Sequence, residues 1–345
     1  MIIKKIKIFL LISFFLLSSF TTIETVKSNI NNNSRVIDFF KSIHKPILID
    51  GDDSFIAKNG VISGNGTIKN PFIIANWKIR LSLKDIFYEI HGISIKNTKS
   101  YFIIDNCFIH FLDGRIANMI SKIKKFNGSN GINLYNVSNG QIKNCFIKGM
   151  GGSINIENNS HKNLIIKCVC FHNYCGIGIN RGSNNNKIEK CNTCNYGCGI
   201  CLWDNTSNNS INNCNCRKVG IRIFNSSKNK INGCTLSFCL NYPAMNIFDN
   251  SSNNIIQNCS FYFNNLGLKI YCNSNKNVIY NNNFIINIKP AYDNEINQWD
   301  NGTIGNYWSD FKDVDENKDG IFDHERLIYG GNSLDRFPLV TPIVN

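Results

Sequence analysis

Fifteen cysteines are spread through the 345-residue chain, and several stand at spacings that hold metals. Cys168-x-Cys170, Cys191-x-x-Cys194, Cys198-x-x-Cys201 and Cys214-x-Cys216 are short thiol pairs of the kind that bind zinc in non-repetitive proteins. A second ligand-like run lies near the C-terminus: Asp315-x-Asn317-x-Asp319-Gly320-x-x-Asp323. Alternate oxygen donors, a glycine at the sharp turn, the Ile321 carbonyl after it and a closing acid are what a tight Ca²⁺ loop uses. Arg326 occupies the place where a calcium sensor has a bidentate Glu, and Glu325 lies one residue early. A structural calcium loop is therefore expected, of the weaker extracellular kind, pinning a cap. The six histidines (44, 91, 110, 161, 172 and 324) are scattered and assemble no ligand set.

These residues sit in a repeat. From residue 91 the chain divides into similar units whose first apolar positions are Ile93, Ile132, Ile154, Ile177, Ile200, Ile221, Met245 and Leu268. The first step is 39 residues, with 116–127 as an insertion, and the other six are 21 to 24. Each unit alternates apolar and polar, turns at Asn, Ser or Gly, and alternates again, which means short strands with one buried face. Strands this short build no core alone. They suit one winding of a parallel β-solenoid that stacks on the last. A leucine-rich repeat needs a Leu-x-x-Leu-x-Leu frame that is missing here. The fold expected is all-β, a right-handed parallel β-helix of about eight or more windings with caps at both ends.

Stacking predicts columns. One inward column is Ile95, Leu134, Ile156, Ile179, Leu202, Ile223, Ile247 and Ile270; a second is Ile104, Ile142, Ile165, Ile188, Ile211, Ile231, Ile256 and Ile279. Asn163, Asn186, Asn209, Asn229, Asn254 and Asn277 share a turn position, where amides can bond from winding to winding. Cys107, Cys145, Cys168, Cys191, Cys214, Cys234 and Cys259 share another. A small soft side chain recurring inward reads as core packing. Neighbouring strands ~4.8 Å apart do not bring Cβ atoms to the ~3.8 Å of a disulfide. By alternation Cys175, Cys191 and Cys198 face in while Cys194 and Cys201 face out, so the four thiols of the two CxxC pairs do not meet at one ion. Copper and zinc are not expected.

Outward positions also stack. Trp203, Phe224, Phe248 and Tyr271 put an aromatic at the same place in consecutive units, following Tyr135, Glu157 and Asn180. Arg222 and Lys269 run beside them on one side, Asp204 and Asp249 on the other. Flat rings flanked by charges and amides offer a platform for sugar faces and partners for hydroxyls, so carbohydrate is the expected partner. The same stripe would equally suit packing against a cap or a second chain. Arg222, Asp249, Lys269 and Asp204 are the weak candidates for catalysis, and no diagnostic motif selects them.

Apolar residues make up 43% and charged residues only 18%, which excludes general disorder and charge-laced helices. The net charge of +13 comes from lysines spread through turns, with one tight cluster at Lys122, Lys124 and Lys125, so nucleic acid is not an expected partner. Lys4, Lys5 and Lys7 precede an apolar run from Ile8 to Phe20, which reads as a secretory signal or an uncleaved anchor, the one route to a membrane. Asn-x-Ser/Thr sites at Asn136, Asn205, Asn225, Asn250 and Asn301 agree with an extracellular, surface or periplasm-like location.

The units, with "ILIDGDDSFIAKNGVISGNGTIKNPFIIANWKI" before them and "AYDNEINQWDNGTIGNYWSDF", "DENKDGIFD" and "GGNSLDRFPLV" after them, resemble the NosD-type family of carbohydrate-binding and sugar-hydrolysis β-helices, in its secreted archaeal form. The resemblance covers about residues 46 to 340. It implies an exported right-handed β-helix, and it associates the family with copper-site maturation. The expected organisation is a signal or anchor over 1–28, an N-terminal cap region over 29–90, the β-helix over 91–292 and a C-terminal cap with the calcium-type loop over 293–345. Three readings stay open on the residues alone: a carbohydrate-binding or structural surface, a polysaccharide lyase, epimerase or hydrolase, and a copper-handling accessory protein. Oligomeric state is not legible.

Overall fold

The computed structural model describes residues 42–111 and 129–343. The signal or anchor expected over 1–28 and the insertion at 116–127 lie outside the described residues. The body that begins at Ile43 is a right-handed parallel β-solenoid with almost no helix. Its successive windings place one strand in each of three parallel sheets, of ten, nine and eleven strands among the described residues. In chain order, one winding runs from the ten-stranded sheet through the nine-stranded to the eleven-stranded; for example 152–157, 164–166 and 169–171. The three sheets already have rungs at 47–50, 72–75 and 77–81.

Alternation explains the interior. Ile95, Leu134, Ile156, Ile179, Leu202, Ile223, Ile247 and Ile270 are consecutive register partners in the ten-stranded sheet. The isoleucines from Ile104 to Ile279 do the same in the nine-stranded sheet. Every member of both columns is fully buried. The eleven-stranded sheet adds a column of changing size: Ile147, Cys170, Thr193, Cys216, Leu236, Phe261, Phe284 and Trp308. Its aromatic end closes the core, with Phe284 stacked on Trp308 at 4.3 Å and on Phe261 at 4.7 Å.

Corners between sheets need backbone that turns within one or two residues. Asn97, Asn136, Asn158, Asn205, Asn225 and Asn250 all take left-handed φ there, a conformation Asn tolerates better than other residues with a side chain. Buried polar groups at the corners are satisfied by amide ladders. In the first, Asn186 donates its backbone N–H and its Nδ2 to Asn209 Oδ1 at 2.9 and 3.2 Å. Asn209 repeats this onto Asn229, Asn229 onto Asn254, Asn254 onto Asn277 and Asn277 onto Asn297. Each amide also reaches back to a carbonyl below, as Asn209 does to Ser183.

The cysteine column is such a ladder in another chemistry. All seven thiols are buried, and from Cys145 to Cys234 each Sγ faces the isoleucine carbonyl of the winding below, as Cys168 does at 3.7 Å from Ile142 O. Beyond Cys259 the same column continues as Asn282 and Asn306, whose Nδ2 groups donate to the equivalent carbonyls of Ile256 and Ile279 at 3.0 Å. Cysteine thus takes an asparagine place, a weak S–H donor facing the same acceptor. The column ends on Asp335, which accepts from Asn306 N at 2.8 Å and from Trp308 Nε1 at 2.7 Å.

Cys259→Asn should therefore cost less than about 1 kcal/mol in chemical denaturation, since Cys259 N already donates to an Asn oxygen above it at 2.8 Å. Asn209→Ala should cost about 2–4 kcal/mol, because it strands a buried N–H and a buried carbonyl. An unchanged midpoint for Asn209→Ala would remove the ladder from the stability account.

Candidate functional site

The ten-stranded sheet turns its outer face to solvent, and two outward columns build the site there. Register places Lys96, Tyr135 and Glu157 in the first, continued by Trp203, Phe224 and Phe248. Phe248 stacks on Tyr271 with centroids 5.4 Å apart and planes 5° apart, and meets Phe224 at 5.2 Å with the rings tilted by 46°. Trp203 is the most exposed of the four, at 37%. The second column runs Ser94, Asn133, Asn155, Gly178, Cys201, Arg222, Asn246, Lys269 and Tyr292.

Cations in the second column lean on rings. Arg222 lies 4.9 Å over Tyr242, and Lys269 Nζ lies 4.2 Å over Tyr271 and 5.7 Å over Tyr292. Asp204 and Asp249 occupy left-handed turn positions just past Trp203 and Phe248. Among the described residues no ion pair joins Arg222 or Lys269 to Asp204 or Asp249. The four therefore share one face without forming an acid–base pair.

Towards the N-terminal windings the face deepens into a cleft of about 710 Å³. Its floor is made of small residues, Gly152, Gly176 and Gly178, and of a chain of amides. Asn155 Nδ2 donates to Asn133 Oδ1 at 2.9 Å, and Asn180 Nδ2 to Asn155 Oδ1 at 2.8 Å. Asn180 Oδ1, and Asn246 Oδ1 further along the face, are buried and accept no hydrogen bond. Glu157 pairs with Arg181 at 3.0 Å across the wall. At the other rim a short helix, Leu83–Phe87, is started by a reciprocal Ser82–Asp85 cap and delivers Glu89 and His91. Asn130 N–H donates to His91 Nδ1 at 3.0 Å.

Cys175, Cys198 and Cys201 also line this cleft, and here the alternation expected from the sequence fails. Cys198 does not face the core while Cys201 faces out: the two share the outer side and are joined as a disulfide. Cys175, in register with Cys198, is partly exposed there rather than inward. The cause is a bulge in which two successive N–H groups share one carbonyl. Gly199 and Ile200 both bond to Gly220 O, and Gly197 and Cys198 both bond to Tyr174 O. One extra residue reverses the facing of what precedes it. Burial pushes the Cys175 thiol up to about 11, with Arg222 and the Cys198 backbone acting the other way. Glycines at 197 and 199 are the signal in the sequence that could have located the bulge.

The calcium-type loop lies apart, in the C-terminal cap. Its acids are turned onto its own backbone: Asp315 accepts from the N–H groups of Asp319 and Gly320 at 3.1 Å, Asn317 from Asp319 at 2.9 Å, Asp319 from Ile321 at 2.9 Å and Asp323 from Glu316 at 3.0 Å.

With the geometry in hand, comparison with known proteins decides the family. The sequence model of the family described as periplasmic copper-binding protein (NosD) matches residues 116–313. The chain belongs to the NosD family. No curated protein matches this NosD-family chain by sequence. Among solved structures it is similar to ORF18 of Geobacillus virus E2, at 13% identity over 88% of this chain and 70% of that one, with a TM-score of 0.50. It is also similar to an alginate lyase from Paenibacillus sp. str. FPU-7, at 12% identity over 67% of this chain and 84% of that one, with a TM-score of 0.49. A pectate lyase, Pel9A, matches at 13% identity over 76% of this chain and 70% of that one, with a TM-score of 0.45. At such identities the likeness is one of fold.

Copper, named in the family's description, takes soft donors. Among the described residues no group of three or more His, Cys, Asp or Glu side chains is placed to hold a metal ion, and Met150 and Met245 are buried in the core. The ladder thiols are likewise buried. In the cleft Cys175 is partly exposed, while Cys198 and Cys201 are buried and bonded to each other.

His91 supplies a pH test of the rim. Burial, and then the charge of Lys96, lower it from 6.5 to about 4, so the folded cleft holds a neutral ring that accepts from Asn130. A depressed histidine contributes stability above its unfolded value that is lost as pH falls from 6.5 through 4. The difference in urea midpoint between the native chain and His91→Gln should shrink across that window. A difference that stays constant with pH would contradict the buried neutral ring.

Proposed function

We propose that the protein is an exported β-helix that binds carbohydrate along the outer face of its ten-stranded sheet. The observation that carries this reading is the aromatic column of Trp203, Phe224, Phe248 and Tyr271, one ring per winding, leading out of a polar cleft. Four rungs at ~4.8 Å spacing give a platform of roughly 14 Å. Rings offer their faces to the apolar faces of sugars. Asn246, Arg222 and Lys269 flank the rings on one side and Asp204 and Asp249 on the other, groups that would serve hydroxyls and ring substituents. The buried, unpaired Oδ1 atoms of Asn180 and Asn246 are acceptors that a hydroxyl would satisfy. Export is supported by the family's description as periplasmic.

On a glycan array the native chain should retain ligands that Trp203→Ala and Phe248→Ala each bind about 3- to 10-fold more weakly, the worth of one ring contact. Binding unchanged in the double variant would reject the face as the site.

We also propose that Asp315, Asn317, Asp319, the Ile321 carbonyl and Asp323 hold a structural calcium ion. They belong to one turn made possible by Gly320, at φ 88°, and would have to swing from the loop's own N–H groups onto the ion. The turn is tied to the cap by Val340 N–H on Gly320 O at 3.0 Å and Phe322 N–H on Pro338 O at 2.8 Å. Millimolar Ca²⁺ should raise Tm by several degrees in the native chain and not in Asp319→Ala. Equal melting with Ca²⁺ and with chelator would exclude the ion.

A further inference from the structure

The outer face of the ten-stranded sheet changes character along its length. From Ser94 to Cys201 its second outward column is uncharged; beyond that it carries Arg222 and Lys269. Lys289 follows on the last strand of the sheet, Lys289–Asp293, in register with Leu266. Each of these cations stands against a tyrosine. Arg222 lies over Tyr242. Lys269 Nζ lies 5.7 Å from the centroid of Tyr292, and Lys289 Nζ lies 5.5 Å from it and 5.6 Å from that of Tyr329. Two ammonium groups thus flank one ring. The cap holds that ring in place: a Cβ at Gly330, whose φ is 110°, would lie 2.8 Å from Tyr292, so the backbone closes directly on it.

Among the described residues no carboxylate pairs with Arg222, Lys269 or Lys289. The acids that follow Tyr292 are engaged elsewhere. Asp293 is buried and accepts from Trp299 and Ser333, and Glu295 accepts from Asn273 N–H. A ring face attracts a cation without cancelling its charge, and like charges on adjacent strands repel. A ligand with negative charge would be held by both ammonium groups and would relieve that repulsion.

Resting on the carbohydrate reading of this face, we propose that its ligand is an anionic polysaccharide, whose carboxylate or sulfate groups are bound by Arg222, Lys269 and Lys289 while its sugar rings lie on the aromatic column. Arg222 and Lys269 are two rungs apart, about 10 Å, so a chain lying along the stripe meets cations at intervals on one flank. Asp204 and Asp249 stand on the opposite flank and repel the same groups. The charged edge of each sugar therefore faces the cations, and its hydroxyl edge faces the carboxylates.

The test uses the full chain and polymers in charged and uncharged pairs: polygalacturonate and hyaluronan beside their carboxyl-reduced forms, and dextran sulfate beside dextran. Affinities are measured by titration calorimetry. The charged member should bind about 10-fold or more tightly than its twin; the first two pairs report carboxylate and the third sulfate. Lys269→Met/Lys289→Met should weaken the charged member about 10-fold with unchanged circular dichroism, and Lys269→Arg/Lys289→Arg should restore it. Because the chain is basic throughout, with a net charge of +13, Lys187→Met/Lys230→Met is the control. These two exposed lysines lie on the outer face of the nine-stranded sheet, and their loss should leave binding as in the native chain. An equal loss in this control would reduce the effect to bulk charge and overturn the site. Equal binding of both members of every pair, with Trp203→Ala still weakening both, would overturn the anionic ligand and leave the platform standing. Failure of every charged polymer to bind would overturn it as well; the platform itself falls only if Trp203→Ala/Phe248→Ala keeps its array binding.

Discussion

Registration of one winding upon the next is the constraint on which the rest of this molecule depends. A parallel rung satisfies its backbone only through the rungs above and below it. Each residue therefore has the residue one period away as its nearest neighbour across the sheet. Register errors of one residue would turn the isoleucine columns outward and bring polar side chains inward. The amide ladders resist such slips. Asn186 N–H and Nδ2 both find Asn209 Oδ1, and no shifted register offers the same pair of bonds. The same coupling lets a single aromatic position, repeated, become a stripe, and lets one bulge bring three cysteines to one cleft.

Most of the architecture was legible in the sequence because the period is nearly constant. The two isoleucine columns, the asparagine ladder and the aromatic stripe from Trp203 to Phe248 all follow from counting residues, and the register partners agree with them. The cysteine column was legible as buried but not as a ladder. Nothing in alternation says that a thiol faces a carbonyl, whereas its continuation as Asn282 and Asn306 does, once those positions are seen to be equivalent. What escaped was local. The bulge at Gly197 to Ile200 adds a residue without changing the period, so Cys198 and Cys201 come to share a face. Glycine is compatible with many backbone shapes, and its presence alone does not say that two N–H groups share one carbonyl. The cleft escaped for a related reason: its rim residue Glu89 precedes the repeat and His91 stands at its very start, and its floor is defined by side chains that are missing, as at Gly152 and Gly178.

The two ends of the solenoid show how its core is closed. At the C-terminal side the inward column grows from Cys216 through Leu236 to Phe261, Phe284 and Trp308, filling the section with stacked rings. Asp293 and Asp335 then accept the two indole N–H groups of Trp299 and Trp308 at 2.8 and 2.7 Å. Arg326 covers Trp308 from 4.4 Å and pairs with Asp310 at 3.0 Å. Polar groups are thus spent on the end of the stack, where no further rung would satisfy them. On the outer face of the ten-stranded sheet Trp203 stays exposed, while Lys269 lies over Tyr271 at the far end of the stripe.

Amide hydrogen exchange tests the stacked ladder most directly. Backbone N–H groups of Asn163, Asn186, Asn209, Asn229 and Asn254 sit at corners, where a loop amide would ordinarily exchange fast. Bonded to the amide of the winding above, they should exchange only through global opening, with protection equal to that of Ile165 and Ile211 in the strands. Loop-like exchange at these five positions, with the strands protected, would contradict the account.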